Sequence, residues 1–455
     1  MTGRTPAVTH RSAYCLARKA RALRSCAFTV VGAFAFSSAA FAECPDLRSY
    51  YPASDDAWPR ALQQLTPLMS ECLQSAEYFA LLGAAQLNSG QLTPAMESLE
   101  RALLIDPEHG AASIDYAQTL YLAGQLFPAL EINSALLERD DLPPDIAVAL
   151  RQRQTEWQAQ TSLKGLTAEA AAGYDNNLNG GPASSEFTLN ISGEAVPLTV
   201  NPEFQPVSGA YLNMRLSGFY RKLTPDRTHN VVYALRNRRS HHKASELLQF
   251  DWRYAQTLPM RDYQWELVTG TSHLFYGGSP LYTVVEARAR LNRDDTGCRP
   301  QYELTVQHQS YHGQSFMRGL EASATAGMFC EFQNTAQAFG FDLGPLANQA
   351  LDDDRPGADR NGWRLHLYWQ IRLGLGTVNS QFNLARLSDD TGYSEVLANG
   401  ARREILNRSF RVQYSRPLTT DLTLMLNFNH QNQASNLEPF ENDGTSFDVG
   451  FSFNF

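Results

Sequence analysis

The stretch Gly444-Thr445-Ser446-Phe447-Asp448-Val449-Gly450-Phe451-Ser452-Phe453-Asn454-Phe455 decides the fold of this protein. From Ser446 onward, polar or small residues alternate with apolar ones, which is the period of a β-strand with one apolar and one wet face. At the edge of a soluble β-sandwich, this aromatic row would leave an unpaired strand prone to aggregation. A closed barrel in a membrane has no edge and places the aromatic residues in lipid. The stretch therefore favours a membrane barrel over a sandwich.

The last aromatic residues also resemble a signal of known type. Phe451, Phe453 and Phe455 are similar to the C-terminal assembly signal of outer-membrane β-barrel proteins, in which an alternating aromatic strand ends on Phe. The resemblance implies that the barrel assembly machinery recognises this strand and that outer-membrane lipid surrounds the finished barrel.

Length and composition narrow the class of protein. The chain has 455 residues, enough for two or three domains, and a formal net charge of -9, which offers no case for nucleic-acid binding. It contains no continuous apolar run of about 20 residues, the length that a transmembrane helix needs. Barrel strands escape such a hydropathy search because their apolar residues alternate with polar ones.

The N-terminus has the pattern of an export signal, predicted over residues 1–42. A short apolar core runs from Cys26 to Phe36, and Ala40-Phe41-Ala42 is typical of a cleavage site. The apolar run is too short to favour a membrane anchor, and Cys44 is not the first residue after the site, so a lipid-anchored end is not expected. The basic residues before the core are Arg11, Arg18, Lys19, Arg21 and Arg24.

Residues 43–162 form a predicted helical domain with an internal repeat of 34 residues. Ala61, Ala95 and Ala129 are 34 apart, and Gly90 and Gly124 repeat at the same interval. The pattern resembles the tetratricopeptide repeat, in which small residues lie where two helices touch and Pro follows the second helix. The residues expected to pack in this way are Phe79, Leu82, Gly83, Gly90, Ala95, Leu99, Ala102, Pro107, Ala117, Gly124 and Ala129.

A solenoid this short needs caps at its ends. Residues 145–160 are expected to form the capping helix, with Ile146, Leu150 and Trp157 on its inner side. The repeats either stabilise the mouth of the barrel or grip an extended peptide on their concave face. The second interpretation is favoured because repeats of this kind often bind partners.

Counted backwards from Phe455, the alternation predicts fourteen antiparallel strands over residues 163–455. Long connections at 178–208, 343–360 and 388–401 are expected outside the cell and short turns in the periplasm, beside the helical domain and the C-terminus. The region 312–342 leaves room for one hairpin more or fewer. The predicted strands are 165–176, 209–221, 228–238, 245–257, 262–275, 281–291, 300–311, 317–329, 331–342, 361–373, 377–387, 402–415, 421–432 and 444–455.

Four cysteines remain after removal of the predicted signal, an even number in an oxidising compartment. Sequence order suggests the pairs Cys44–Cys72 and Cys298–Cys330. The strand count places Cys298 and Cys330 at periplasmic turns two hairpins apart, within reach of a bond between neighbouring turns. Two unrelated free thiols are the less favoured alternative.

Charged residues are expected to line the lumen. Oppositely charged neighbours on adjacent strands commonly hold a small lumen together, and a transport lining is the alternative. The candidates are Arg215, Arg236, Arg238, Arg253, Arg288, Arg290, Arg364, Arg372, Arg411, Asp251, Glu286, Glu303 and Asp448.

No group of residues indicates an enzyme, a metal site or a bound cofactor. His241-His242 has no Cys or carboxylate at ligand spacing, and Asp352-Asp353-Asp354 is more typical of a solvated charge run than of a calcium site. We therefore expect no catalytic residues and no cofactor.

A distinctive motif, Gly173-Tyr174-Asp175-Asn176-Asn177-Leu178-Asn179, ends the first predicted strand. Gly and Asn tolerate the left-handed backbone region, so a rigid turn at the strand end is the simplest interpretation.

With this motif, the short repeat domain and the barrel, nearly the whole mature chain resembles the surface lipoprotein assembly modifier (Slam) family. The resemblance implies an outer-membrane translocator that moves lipoproteins, and in some members soluble haem- or metal-capturing proteins, to the cell surface. The barrel would be the minimal conduit, and the repeat domain would engage cargo or a periplasmic chaperone. The helical region of this chain is small for the family.

Two other functions remain open from the sequence. Exopolysaccharide export porins also join periplasmic repeats to a barrel, and family resemblance gives them far more repeats and sixteen or more strands. An outer-membrane lipase or protease would need a catalytic Ser or His that the sequence does not nominate. For a translocator, cargo pairing by strand addition would make the seam between the first and last strands the weak point of the barrel.

Overall fold

The computed structural model describes residues 44–293, 297–332 and 336–455. The predicted signal peptide, residues 1–42, lies outside the described residues. The chain forms an N-terminal helical domain that runs directly into a closed β-barrel.

The described part of the helical domain contains six α-helices, after and between short 3₁₀ turns. They are α1 (Trp58–Leu65), α2 (Ala76–Asn88), α3 (Leu92–Ile105), α4 (Gly110–Leu122), α5 (Leu126–Leu137) and α6 (Pro144–Ala159). Helices α2 with α3 and α4 with α5 form two helical pairs, and α6 packs on α5.

Small residues at the predicted positions allow these helices to approach. A Cβ added to Gly83 would lie 2.5 Å from Cγ of Leu99, so only glycine fits where α2 crosses α3. Gly90 and Gly124 follow α2 and α4 with φ of 76° and 80°, a conformation that favours glycine at a helix C-terminus. Pro107 lies in the turn after α3. The fully or almost fully buried predicted residues are Phe79, Leu82, Ala95, Leu99, Ala102, Ala117 and Ala129.

The two ends of the solenoid are covered differently. At the C-terminal end, Leu150 and Trp157 of α6 are buried, whereas Ile146 is only partly buried. At the N-terminal end, the segment 44–72 packs Leu47 and Leu65 onto α2, and the Tyr78 hydroxyl donates to the Leu65 carbonyl at 3.0 Å. A disulfide between Cys44 and Cys72 closes this segment.

The described part of the barrel has fourteen antiparallel strands, as predicted, and β1 pairs with β16 to close it. Two further strands, β2 (Glu186–Ile191) and β3 (Glu194–Thr199), form a separate hairpin in the connection predicted at 178–208. The barrel strands are β1 (Ser162–Asp175), β4 (Gly209–Leu223), β5 (Thr228–Ser240), β6 (Leu247–Met260), β7 (Tyr263–Tyr276), β8 (Ser279–Arg293), β9 (Cys298–Tyr311), β10 (Gly319–Phe332), β11 (Gln337–Ala350), β12 (Arg360–Leu373), β13 (Gly376–Gly392), β14 (Arg402–Pro417), β15 (Leu422–Ser435) and β16 (Asn442–Asn454).

One strand lies well away from its predicted range. The predicted strand was 331–342, followed by a long connection from 343, and Gly344-Pro345 in that connection is a pair that often breaks a strand. Strand β11 instead continues to Ala350, and Pro345 pairs with Trp363. The apolar alternation through Phe341 and Leu343 and the pairing with β12 outweigh the local preference of the Gly-Pro pair.

The two faces of the wall differ as a membrane barrel requires. Large apolar side chains of β16 are about half exposed on the outer face, whereas Asp448 and Ser452 are buried on the inner face. The same holds around the barrel, for example at Trp369 outside and Glu286 inside. No helix in the described ranges is long and apolar enough to cross a membrane.

The second disulfide joins Cys298 to Cys330, as paired in the prediction, but its predicted location was wrong. The two residues lie directly opposite each other on β9 and β10, with their Cα atoms 3.9 Å apart. They are not in turns two hairpins apart, because β9 begins and β10 ends at the same rim of the barrel. The bond therefore staples the open end of one hairpin.

Candidate functional site

The junction between the first and last barrel strands is the shortest in the described barrel. Strands β1 and β16 pair over nine residues, from Thr167 opposite Asn454 to Asp175 opposite Ser446. On its other side, β1 pairs with β4 over fourteen residues. The remaining junctions comprise eleven to fourteen pairs. We call the β1–β16 junction the seam.

The seam also has little side-chain contact on the β1 side. Three of the outward residues of β1 in the seam are the small Ala168, Ala170 and Ala172, opposite large apolar residues of β16, and only Tyr174 at the end presents a large side chain. Alanine and glycine are weak strand formers, and cross-strand pairs of large side chains contribute most to sheet stability. The seam therefore depends mainly on its few backbone hydrogen bonds.

Gly173 allows a bridge over the inner face of the seam. It lies directly opposite Tyr211 of β4 on one side and directly opposite Asp448 of β16 on the other. The Tyr211 hydroxyl donates to Asp448 Oδ2 at 2.7 Å across the missing side chain. A Cβ at Gly173 would lie 2.3 Å from the Phe447 carbonyl oxygen. Glycine is thus required here for close packing.

The two adjacent asparagines of the motif, Asn176 and Asn177, tie its backbone to the start of β16. The Asn176 amide oxygen accepts from the Thr445 backbone N–H at 2.7 Å. The Asn177 side chain donates to the carbonyls of Gly181 and Asp443 and accepts from the Gly181 N–H, with distances of 2.8–3.0 Å. We call residues 175–179 the latch, because they extend the seam beyond the paired strands.

The latch is anchored towards the lumen. Leu178 is 1 % exposed, and its carbonyl accepts from Arg238 Nη2 at 2.8 Å. Asp175 lies 3.5 Å from Arg238 Nη1 and also accepts from the Asn177 N–H. Tyr174, by contrast, faces outward and is more than half exposed. Charge and burial together hold the latch against the inner wall.

The motif ends in the predicted turn, but the turn is built differently. The Gly180 N–H donates to the Asn177 carbonyl at 3.2 Å, no residue in 173–179 has a positive φ, and the left-handed conformation appears at Gly180. The glycine of the motif serves close packing, and the asparagines act through their side-chain amides. These roles could not be predicted from the sequence, because the partners of Gly173, Asn176 and Asn177 on β16 lie more than 260 positions away.

The long connection after the latch crosses the mouth of the barrel. The Asn190 N–H donates to the Val396 carbonyl at 2.8 Å, beside a bridge between Leu189 and Leu397. Closer to the latch, the Ala183 N–H donates to the Glu441 carbonyl at 2.8 Å. The β2–β3 hairpin therefore joins the seam side of the mouth to the connections before β14 and β16.

Ion pairs link the strands on one side of the lumen. Glu286 lies 3.0 Å from Arg253 and 3.4 Å from Arg288. Glu303 lies 2.6 Å from Arg290 and 3.5 Å from Arg364, which belongs to a strand three positions further round the wall. These contacts match the interpretation in which opposite charges brace a small lumen.

The other predicted lumen residues form fewer ion pairs. Arg236 donates to Asn213 at 3.2 Å, and Asp251 accepts from Gln249 at 3.0 Å. Within the described ranges, Arg215, Arg372 and Arg411 form no ion pair. They leave positive charge on the inner wall.

The helical domain carries a second polar cluster. The Tyr51 hydroxyl donates to Glu77, which also lies 3.0 Å from His109, and these contacts lower the pKa of Glu77. Burial raises the pKa of Asp115 to about 6, an effect that the Arg153 guanidinium partly opposes. Arg153 lies over the Trp157 ring at 4.8 Å.

Neither suggested metal site gathers ligands. His242 Nδ1 contacts the Ser245 hydroxyl at 3.2 Å, and Asp352 pairs with Arg318 at 3.2 Å. The described residues contain no group of three His, Cys, Asp or Glu side chains placed to hold a metal ion.

Comparison with known proteins supports the repeat domain most directly. The tetratricopeptide repeat family model matches residues 86–153. A search of curated proteins by sequence finds no match.

Solved structures are similar to each half of the chain separately. The type III secretion translocator chaperone SycD of Yersinia enterocolitica is 16 % identical, with a TM-score of 0.22, covering 23 % of this chain and 74 % of that one. The anion-selective porin of Comamonas acidovorans is 9 % identical, with a TM-score of 0.37, over 65 % and 99 %. The outer-membrane channel DcaP of Acinetobacter baumannii is 7 % identical, with a TM-score of 0.37, over 65 % and 97 %.

Proposed function

We propose that this chain is an outer-membrane translocator that delivers surface lipoproteins, or related secreted proteins, from the periplasm to the cell surface. The observation that carries the proposal is the seam. It is the shortest junction in the described barrel, five of its nine β1 residues are alanine or glycine, and a separate latch closes its outer end.

A seam of this kind suits cargo that passes in an unfolded state. Separating β1 from β16 exposes two strand edges, and an extended segment can pair with either edge by strand addition. The loss of only nine residue pairs makes this junction the least costly to open. The latch and the Tyr211–Asp448 bond then restore closure after passage.

The helical domain is proposed to lie in the periplasm and to engage cargo or a chaperone there. Helix α6 ends at Ala159 and β1 begins at Ser162, while the last residue of β16 pairs with Thr167. The domain therefore lies at the same rim as the C-terminus. The barrel assembly machinery and a cleaved signal over residues 1–42 complete the proposed route to the membrane.

The chain is proposed to perform no covalent chemistry. Its lumen residues brace the wall or leave positive charge exposed, and transport by this route needs only reversible pairing. Energy for export would come from folding of the cargo outside the cell.

A cross-link across the seam tests the proposal. Ala172→Cys with Val449→Cys places thiols on directly opposite residues of β1 and β16. A matched control, Ala172→Cys with Leu212→Cys, joins β1 to β4 with the same β1 thiol. After treatment with a short bis-maleimide, we expect surface delivery to stop for the first pair and to continue for the second. Unchanged delivery with a fully cross-linked seam would contradict the mechanism.

Surface biotinylation of a deletion strain tests the function itself. Complementation with the full chain should return one or a few missing proteins to the surface, and residues 163–455 alone should restore them partly. An unchanged surface profile in the deletion strain would reject the translocator, and secreted polysaccharide would then be the quantity to assay.

A further inference from the structure

Three arginines meet one carboxylate at the loop-side end of the lumen. Arg360 begins β12 directly opposite Asp389 of β13, and Arg360 Nε lies 3.3 Å from Asp389 Oδ1. Arg403, near the start of β14, lies 3.2 Å from Asp389 Oδ2. Arg355 belongs to the connection 351–359, which folds over this pair so closely that a Cβ at Gly357 would lie 2.1 Å from Asp389 Oδ2. We call these four charged residues the arginine cluster.

The cluster is buried and its hydrogen-bonding capacity is not satisfied. Arg355 and Arg403 are each 4 % exposed, and Asp389 is 3 % exposed. Considering only the described residues, Nε and Nη1 of Arg355 and Nη2 of Arg360 are buried without a hydrogen-bond partner, whereas Arg360 Nε is ion-paired with Asp389. Buried guanidinium groups are normally paired, because an uncompensated buried charge costs several kcal/mol.

The three guanidinium groups of the cluster outnumber its one carboxylate. Asp389 forms ion pairs with Arg360 and Arg403. Asp359 is engaged by the backbone N–H of Ala350 at 2.7 Å, and Glu321 accepts from Gln309 and Asn348. Burial lowers the pKa of Arg355, an effect that the Asp389 carboxylate partly opposes. The cluster therefore retains positive charge in excess.

We propose that the arginine cluster binds one oxyanion of the phosphate class. Two guanidinium forks with free N–H groups match the several acceptor oxygens of a tetrahedral oxyanion. Arg360 shares the inner face of β12 with Arg364, which pairs with Glu303 in the lumen, so the cluster lies on the lumen side of the wall. Free phosphate and a soluble phosphate monoester both present this chemistry.

The connections that cover the cluster indicate what a bound anion would do. Arg403 is held between the rings of Tyr393 and Phe440, at 4.4 and 4.6 Å, so its position depends on two further connections. An anion between Arg355 and Arg360 would join the connection 351–359 to the wall. Binding would therefore hold the connections around the mouth in their closed arrangement.

Equilibrium dialysis of the purified full chain in detergent micelles with ³²P-labelled inorganic phosphate, in chloride buffer of constant ionic strength, tests the proposal. We expect one phosphate per chain. Arg355→Gln and Arg360→Gln should each weaken binding at least tenfold. Arg318→Gln is the matched control, because Arg318 is an exposed arginine that pairs with Asp352 of the same connection. It should leave the affinity unchanged.

Further variants distinguish a binding site from a structural cluster. Asp389→Asn removes the competing carboxylate and should tighten phosphate binding, whereas a purely structural role predicts no such gain. Heat-modifiable migration on a gel shows whether Arg355→Gln folds. If it does not, Arg355→Lys is measured instead, because lysine keeps the charge without the two-pronged guanidinium group. This variant should still bind phosphate about tenfold more weakly than the unaltered chain.

Either source of the anion supports the proposal, and competition tells them apart. Unlabelled glycerol 3-phosphate displaces the label if the site accepts monoesters and leaves it bound if the site takes only free phosphate. No binding by the unaltered chain, or equal affinity in the folded Arg355→Gln variant, would overturn the proposal.

Discussion

Asn177 is the residue on which closure of the seam most depends. Its amide group makes three hydrogen bonds that join the latch to Gly181 and to the start of β16 at Asp443. The side chain is 5 % exposed, so water does not replace these bonds when the residue is changed. One side chain thus connects residues that are more than 260 positions apart.

Asn177→Ala should loosen the connection 178–208. Each buried group left without a partner costs about 1–3 kcal/mol, so the locally open state should become roughly tenfold more populated. A Glu-specific protease, for which the connection offers Glu186, Glu194 and Glu203, should cut the purified variant correspondingly faster.

Asn190→Ala is the control for this experiment. In the part of the chain that the structure describes, the Asn190 side chain makes no recorded hydrogen bond, and only its backbone binds Val396. Cleavage of this variant should match that of the unaltered chain. Equal rates for all three proteins would show that the latch does not restrain the connection.

Asp115 makes the stability of the helical domain depend on pH. Burial raises its pKa from 3.8 to about 6, so the folded state binds a proton more readily than the unfolded state between these values. This stabilisation is complete below about pH 4 and is lost as the pH rises through about 6.

We therefore expect the urea midpoint of the helical signal to fall between about pH 4 and pH 6 because of Asp115. In Asp115→Asn, the difference between these two pH values should become smaller. Circular dichroism at 222 nm on the full chain in micelles measures the midpoint. An unchanged pH profile in the variant would show that another group causes the dependence.

The N-terminal segment is the element whose order depends on a covalent bond. Residues 44–72 contain one short helix and several 3₁₀ turns, which are too irregular to form alone. The Cys44–Cys72 disulfide closes this segment, and Leu47 and Leu65 then cover α2. The segment thereby covers the N-terminal end of the solenoid.

Cys44→Ser with Cys72→Ser should lower the free energy of unfolding of the helical domain by about 3–4 kcal/mol, the loop-closure estimate for this separation. Urea titration of the helical signal measures the change. Cys298→Ser with Cys330→Ser is the control, because that bond lies in the barrel and should leave the helical transition in place. A similar shift in both variants would contradict the assignment.

At the scale of the whole molecule, an even number of barrel strands brings both ends of the barrel to one rim. The Phe455 N–H donates to the Leu166 carbonyl near the start of β1, beside the end of α6. The β2–β3 hairpin and the latch lie at the opposite rim. The helical domain and the hairpin must therefore face opposite sides of the membrane.

Two epitope insertions test this arrangement. A tag between Ser192 and Gly193, at the tip of the hairpin, should be labelled by antibody on intact cells. A tag between Asp140 and Asp141, in the turn between α5 and α6, should be labelled only after the outer membrane is permeabilised. Labelling of both tags on intact cells would exclude a helical domain in the periplasm.

The sequence by itself determined the class of fold, because its two periodicities are local. The 34-residue repeat of Ala95 and Ala129 predicts paired helices, and alternation such as that of Phe447 to Phe455 predicts barrel strands. Hydrophobic period depends only on near neighbours along the chain, so the helical repeat and the number of barrel strands could be predicted, and sequence order suggested the cysteine pairs.

Only the tertiary structure decided what closes the barrel and what its mouth contains. From the sequence, Gly173 is typical of a turn and Pro345 of a strand end. In the structure, Tyr211 and Asp448 form a hydrogen bond across Gly173, and Pro345 lies within a strand that pairs with β12. Arg355, Arg360, Arg403 and Asp389 fall on three strands and a connection, and no spacing in the sequence marks them as neighbours. The register of the strands and the closure of the barrel bring together residues that are far apart in the chain. The local sequence pattern does not predict such contacts.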